Sequence, residues 1–173
     1  MLILYILIGI VALVLILAMI APKTYEVSRS IVITKPKKEV FEYLKSLKKQ
    51  DEWSPWGKRD PNMEKSFTGT DGEVGAISHW KGNKEVGEGE QEIKKIVDGE
   101  RIESELRFLK PWKSTSDAFM MTEDSEGGTK VTWGFKGYNK FPMSIMMLFM
   151  SMDKMIGKDF EEGLGDLKTL LEK

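Results

Sequence analysis

The sequence predicts an α+β domain in which about seven antiparallel strands pack against one long C-terminal helix, with a transmembrane helix preceding the domain. Three observations lead to this fold class. Residues 1–22 carry no charged side chain, residues 24–137 alternate in hydrophobicity between turn residues, and residues 142–172 place apolar side chains at helical spacing. We therefore divide the chain into a transmembrane anchor, 1–22, and one domain, 24–173.

The first 22 residues have the composition of a membrane-spanning helix, since about 20 apolar residues cross the hydrocarbon layer. A cleaved signal peptide is the alternative. Against it, no Lys or Arg precedes the apolar run, and Ala21 is followed by Pro22 and has the bulky Met19 two positions before it. We therefore expect an uncleaved anchor. The positive-inside rule predicts a single-pass protein with a cytoplasmic domain, because the nearby basic residues all follow the run: Lys23, Arg29, Lys35, Lys37 and Lys38.

The composition argues against several classes of function. The 173 residues sum to a net charge of −1, whereas nucleic-acid binding needs a concentrated basic surface. The absence of cysteine excludes disulfides, a thiolate nucleophile and Cys-ligated zinc. His79 is the only histidine, so a cluster of histidines around a metal is excluded as well. We predict no nucleic-acid partner, no metal and no cofactor, and the sequence identifies no protein partner.

The segment after the anchor predicts one strand and one helix. Residues 24–34 alternate in polarity, and Pro36 is suited to the start of a helix. The apolar positions of that helix share one face: Val40, Phe41, Leu44 and Leu47. Its other face is rich in lysine, which fits either a solvated surface or contact with anionic lipid headgroups.

Two tryptophans follow this helix in an irregular segment, Trp53-Ser54-Pro55-Trp56. Such a bulky corner has two interpretations. It is either a core plug that closes one end of the domain or an aromatic rim around a ligand entrance. The sequence favours neither.

Six more strands are predicted between residues 63 and 137, because turn dipeptides such as Asp98-Gly99 separate alternating runs. Short turns make neighbouring strands antiparallel. Gly87 and Gly89 indicate a bulge or sharp curvature, since the third glycine and the helix of a dinucleotide motif are missing. The predicted strands are 65–68, 75–81, 85–97, 100–109, 114–123 and 129–137.

Three glutamates, Glu88, Glu90 and Glu92, share one face of a predicted strand because they recur at period two. Such a row could bind a hard cation. The solvated side of an antiparallel sheet is the interpretation that we favour.

The last segment predicts a single helix from Pro142 to Glu172, about 45 Å long. Gly163 falls in the middle of its apolar stripe, where it indicates close packing or room for a ligand. Asp159 falls at the edge of the stripe and therefore needs a hydrogen bond or an Arg partner. The methionines at 143–150 leave the first turns apolar almost all round. A covering loop, a membrane surface or a soft gate for a ligand would each account for them.

Several stretches resemble the START-like helix-grip superfamily (SRPBCC), which includes polyketide cyclase/dehydrase-like proteins and the birch-pollen-allergen fold. Phe41–Trp56 is similar to the first helix and its Trp-x-Pro-Trp-type corner, and Phe67–Trp80 to the glycine-rich hairpin. Gly128–Trp133 is similar to the last strand and Gly157–Leu171 to the terminal helix. The resemblance implies a curved sheet wrapped around the C-terminal helix, with a deep apolar cavity between them. It implies no particular reaction.

The function predicted on this basis is membrane-anchored binding of a hydrophobic small molecule or lipid in that cavity. The membrane contact would be made through residues 1–22. The side chains predicted to line the cavity are Trp53, Trp56, Phe67, Trp80, Leu106, Phe108, Met120, Trp133, Phe135, Phe149, Met152 and Ile156.

Two other functions stay open. One is a cyclase-, dehydrase- or hydrolase-type enzyme acting on an apolar substrate, with His79 and Asp159 as acid/base candidates. We favour a binding protein, because the chain has no recognisable nucleophile constellation and a lone strand histidine is usually structural. The other is a protein-interaction or chaperone-like module, which an exposed apolar patch beside a filled cavity would support.

Overall fold

One antiparallel sheet and a C-terminal helix make up most of the domain. The computed structural model describes all 173 residues. Its helices are α1 (Leu2–Ile20), α2 (Lys37–Lys45), α3 (Pro55–Arg59), α4 (Met143–Met146) and α5 (Met152–Leu171), with a short 3₁₀ helix at Lys49–Glu52. Its strands are β1 (Thr24–Ile33), β2 (Glu64–Thr68), β3 (Ile77–Lys81), β4 (Glu88–Val97), β5 (Arg101–Lys110), β6 (Ser114–Ser125) and β7 (Gly128–Tyr138).

The seven strands form one sheet in the order β1-β7-β6-β5-β4-β3-β2. Strands β2 to β7 are a meander, and β1 pairs with the last strand, so all neighbours are antiparallel. The predicted strand number and fold class are confirmed. The register shifts between Glu88 and Gly89, where the predicted bulge lies. A Cβ atom on Gly89 would meet the ring of Trp80, so glycine lets that ring lie across the strand.

Helix α2 closes the core at the end of the sheet farthest from α1. Pro36 is its N-cap residue, and Val40, Phe41 and Leu44 are buried, as the spacing predicts. The hydroxyl of Thr129 donates to the carbonyl of Lys35 at 2.7 Å, which joins the entry of this helix to β7.

The C-terminal helix is shorter than the predicted 142–172. Helix α4 covers four residues, the chain then leaves the helical path, and α5 begins at Met152 with Ser151 as its N-cap. The Ser151 hydroxyl accepts from the backbone N–H of Lys154 at 3.4 Å. The physical reason is that only the later part packs an apolar stripe against the sheet, whereas α4 contacts α1 and the 143–150 segment leaves Met146 and Phe149 exposed. Helix α5 is therefore about 30 Å long.

Helix α5 lies against β1 and is attached to it by polar contacts along its length. The Arg29 guanidinium donates to Asp153 at 2.7 Å and to Glu161 at 2.6 Å, in a position over Gly157. At the other end, Glu172 accepts from the backbone N–H of Thr34 at 2.6 Å. Because Asp153 and Glu172 hold opposite ends of the helix, α5 keeps a fixed position over the sheet.

Helix α1 is apolar, unburied along its length, and long enough to cross a membrane. A membrane anchor and a signal sequence both fit that description. The chain enters β1 only three residues later. There the side-chain amide of Asn139 donates to the Pro22 carbonyl at 3.3 Å, and its backbone N–H donates to the Lys23 carbonyl at 2.8 Å.

Candidate functional site: a cavity between sheet and helix

A cavity of about 1100 Å³ lies between the sheet and α5. It is open to solvent at the end of the sheet where Trp112 and Tyr138 line it, and both of these side chains are largely exposed. The floor is formed by inward-facing side chains of β3 to β7. The opposite wall is formed by Met152, Ile156 and Phe160 of α5. A volume of this size is slightly above the usual range for small-molecule sites.

Aromatic rings line much of the floor. Trp80 meets Phe108 edge to face, with ring centroids 6.0 Å apart and planes at 78°. Phe108 meets Phe135 in the same way at 6.4 Å and 83°. These edge-to-face contacts are a favoured arrangement of aromatic side chains and give the floor a defined shape.

Nine of the twelve side chains predicted to line the cavity do so in the structure: Trp56, Trp80, Leu106, Phe108, Met120, Trp133, Phe135, Met152 and Ile156. Their contact with a ligand stays a prediction. The other three lie elsewhere. Trp53 is 1 % exposed within the core, Phe67 packs against the core from the edge strand β2, and Phe149 is 80 % exposed after α4.

The two tryptophans of the corner have different positions. The core-plug interpretation describes Trp53, whereas Trp56 lines the cavity away from its mouth and is not a rim around the entrance. Trp53 is a core plug whose ring meets Trp133 at 4.9 Å. Trp56 lines the cavity and meets the same ring at 5.5 Å. Trp133 also stacks on Phe160 at 4.4 Å. We call the wall formed by Trp56, Trp133 and Phe160, with Trp53 packed behind it, the inner end of the cavity.

Gly163 is a close-packing point and leaves no room for a ligand. A Cβ atom there would lie 2.8 Å from Cζ3 of Trp133 and 3.1 Å from Cδ of Pro55. Helix α5 therefore contacts the aromatic wall directly.

The two acid/base candidates lie on different faces of the sheet. Asp159 lines the cavity and forms an ion pair with Arg59, the type of partner that its position requires. This hydrogen bond raises the pKa of Arg59. His79 is absent from the cavity wall, and its Nε2 lies 3.8 Å from Oε1 of Glu88 on the outer face. The two side chains are therefore not placed to act on one substrate.

The row of glutamates forms ion pairs on that outer face, as the favoured interpretation predicts. Arg107 contacts Glu90 at 2.9 Å and Glu92 at 2.6 Å, while Lys110 contacts Glu88 at 2.7 Å. Hydrogen bonds from Arg107 and Lys110 lower the pKa values of Glu92 and Glu88. The row is thus a charge-compensated outer surface.

Polar side chains also cross the cavity floor, and the sequence reasoning did not single them out. Paired positions of neighbouring strands form one row: Ser78, Gln91, Leu106, Ser116, Gly137 and Tyr25. The Tyr25 ring lies across Gly137, and its hydroxyl is near Ser116. Burial raises the pKa of Tyr25 above its ordinary 10.0, so the phenol stays neutral. The alternation within each strand predicts which side chains face inward. Only the register between neighbouring strands shows that these polar side chains lie side by side in one row.

The architecture is the helix-grip fold of the START-like superfamily. A family profile described as polyketide cyclase / dehydrase and lipid transport matches residues 24–172, so the chain belongs to that family. No curated protein matches the sequence.

Solved structures with the same fold come from distant organisms. Protein CV1439 from Chromobacterium violaceum is 15 % identical, with 88 % of this chain and 99 % of that chain covered and a TM-score of 0.60. The Aha1 dimer from Colwellia psychrerythraea is 14 % identical, with coverage of 86 % and 96 % and a TM-score of 0.60. Major latex-like protein 151 from Panax ginseng is 13 % identical, with coverage of 86 % and 98 % and a TM-score of 0.60. At these identities the likeness establishes the fold alone.

Proposed function

We propose that this protein binds a hydrophobic small molecule or lipid in the cavity while α1 anchors it in a membrane. The observation that carries the proposal is the open space of about 1100 Å³ between sheet and helix. Four of the five tryptophans and five of the eleven methionines line this space without filling it. The family description, which includes lipid transport, supports the same function.

Binding would be driven by removal of apolar surface from water, at about 25 cal/mol per Å². The aromatic floor and the aliphatic side chains of α5 supply the matching surface. Because these walls are positioned by the sheet and by the polar contacts of α5, little ordering would be needed on binding, which favours affinity.

The polar row on the floor would orient the ligand. Ser78 and Ser104 line the cavity, and a serine hydroxyl can both donate and accept a hydrogen bond. These groups are neutral, as are Gln91 and Tyr25 beside them. They suit a ligand with an apolar body and an uncharged hydroxyl or carbonyl group.

A cavity-filling substitution tests the proposal. Ala118 lines the cavity, and Ala118→Trp would place an indole in it, whereas Val74→Trp adds the same side chain at an exposed turn outside the cavity. Native mass spectrometry of the full chain, released from detergent micelles, should show lipid-mass adducts on the wild type and on Val74→Trp. A several-fold loss is expected for Ala118→Trp.

Circular dichroism of both variants checks that the loss does not come from unfolding. A wild-type chain that carries no adduct and takes up no added oleyl alcohol would contradict the proposed binding. Equal adducts on Ala118→Trp would move the binding site out of the cavity.

We also propose that the domain lies on the cytoplasmic side, because the basic residues near α1 follow it. The chain has no cysteine, so Glu126→Cys introduces one exposed thiol in the β6–β7 turn. In intact cells, a membrane-impermeant maleimide should leave that thiol unlabelled until the membrane is broken. Immediate labelling would reverse the orientation.

A further inference from the structure

The anchor and the mouth of the cavity share one end of the sheet. Thr24, which begins β1, pairs with Tyr138 at the end of β7. In the same direction along the sheet, β5 ends and β6 begins around the 111–113 turn. Helix α1, the 111–113 turn and the segment after β7 are therefore neighbours in space.

Large apolar side chains are exposed at this end. Trp112 is 76 % exposed and Tyr138 is 66 % exposed, and both line the mouth. We define the rim as residues 111–113 and 138–150. Its exposed apolar members are Trp112, Tyr138, Phe141, Met143, Met146, Phe149 and Met150. So many exposed apolar side chains around one opening are characteristic of an interaction surface.

The chain itself indicates what covers the rim. Asn139, a rim residue, donates hydrogen bonds to the carbonyls of Pro22 and Lys23, and α4 contacts α1. With α1 across a bilayer, these contacts hold the rim at the level where that helix leaves the hydrocarbon. Exposed tryptophan and tyrosine side chains are favoured at this depth.

The rim carries two charged side chains, Lys113 and Lys140, and both are basic. Lys23 and Lys84 lie near it, with Asp60 and Glu85 as the nearby acids and Lys110 paired with Glu88. Basic side chains around the rim suit anionic headgroups.

From the continuity of the rim with α1 and from its charge, we propose that the rim lies in the headgroup region of the bilayer that α1 spans. The mouth of the cavity then opens onto the membrane surface, and an apolar ligand enters from the lipid without crossing water. This inference rests on the proposed function in one respect, the membrane insertion of α1.

Single-cysteine variants of the full chain locate the rim. Trp112→Cys and Phe149→Cys lie on it, and Val74→Cys is a matched control, an exposed apolar residue of the β2–β3 turn at the opposite end. Each thiol carries an environment-sensitive nitrobenzoxadiazole label, and the protein is reconstituted into phosphatidylcholine vesicles with a minor fraction of phosphatidylglycerol. Labels at 112 and 149 should emit at shorter wavelength and lose iodide quenching several-fold, whereas the label at 74 should not.

The outcomes separate the two proposals. A chain that leaves the vesicles on alkaline extraction overturns the anchor and, with it, the position of the rim. A chain that stays, but whose labels at 112 and 149 are quenched by iodide as strongly as the label at 74, overturns the rim alone. In that case the exposed surface would be a site for a protein partner, and ligand binding in the cavity would be unaffected.

Discussion

The two ends of the cavity are built from the same types of residue but differ in packing. At the inner end, Trp53, Trp133 and Phe160 are almost fully buried in contact with one another. At the mouth, Trp112 and Phe149 are among the most exposed side chains of the domain. The difference shows that the number of aromatic residues in a region does not determine whether that region forms a core. An aromatic ring is buried only where a second helix or strand packs over it, and such an element is present at the inner end but not at the mouth.

At the inner end, the element that covers the rings is α5, and α3 is joined to it by ion pairs. Lys58 pairs with Asp166, and Arg59 pairs with Asp159, so two adjacent residues of α3 are joined to α5. Gly163 lets α5 approach the rings between them. No comparable helix crosses the mouth, because α4 ends after one turn.

The largest expected difference between the two ends is the cost of removing a phenyl ring. Phe160→Ala should lower the free energy of unfolding by about 3–5 kcal/mol, because it leaves a cavity against Trp133. Phe149→Ala should change it by no more than about 0.5 kcal/mol, since that ring is exposed. Denaturant titration of the full chain in detergent, followed by near-UV circular dichroism, measures both values.

Equal losses in the free energy of unfolding for these two variants would contradict the difference in packing between the two ends. They would mean that the segment after α4 is packed in solution. A loss at Phe160 alone would confirm that the inner end carries the stability of the cavity walls.

A smaller effect is expected from adding one methyl group to α5. Gly163→Ala should destabilise by up to about 2 kcal/mol, because overpacking against Trp133 costs about 1–3 kcal/mol and exceeds the gain of about 1 kcal/mol in helix propensity. Gly165→Ala is the matched control two residues away, where the new Cβ meets nothing within 4 Å. It should stabilise by up to about 1 kcal/mol. Thermal unfolding of the pair measures the difference in sign.

If both alanines stabilise the protein, Trp133 is able to move away from α5. The wall at the inner end would then be adjustable, and the cavity could lengthen for a larger ligand.

The smallest expected effect is the loss of stability at low pH, which should weaken the contacts at both ends of α5. A hydrogen bond from Arg29 lowers the pKa of Asp153, and the backbone N–H of Thr34 lowers the pKa of Glu172 below the ordinary 4.5. Because these pKa values are lower in the folded state, their contribution is complete above about pH 4.5 and is lost as the pH falls below it.

The unfolding temperature should therefore be flat above that pH and decline below it. Glu172→Gln should make the decline shallower, and Glu126→Gln, in an exposed turn, should leave it unchanged. A decline of the same slope in Glu172→Gln would show that other carboxylates dominate the acid response.

The regular part of the fold could be predicted from the sequence because it depends on local patterns. Alternation and turn dipeptides define the seven strands, and Pro36 defines the start of α2. Most of the cavity wall follows from the same alternation, since inward positions such as Trp80 and Phe135 face α5. These features need no knowledge of distant contacts.

The rest depends on contacts between distant segments. Trp53 and Trp56 lie in one short motif, yet only the position of Trp133 decides which of them is buried. Phe149 continues the apolar stripe of α5 in the sequence, but no wall exists for it to face. The polar row is likewise a product of register across several strands, which one sequence does not reveal.

The junction between α1 and β1 limits the range over which the protein can act. Ala21, Pro22 and Lys23 span at most about 10 Å when extended, and Asn139 binds two of their carbonyls. If α1 spans a bilayer, as proposed, this short junction keeps the domain at the surface of that bilayer. A ligand bound in the cavity would then exchange with the same bilayer, or with a partner that arrives from the aqueous phase, and would not be carried to a second membrane.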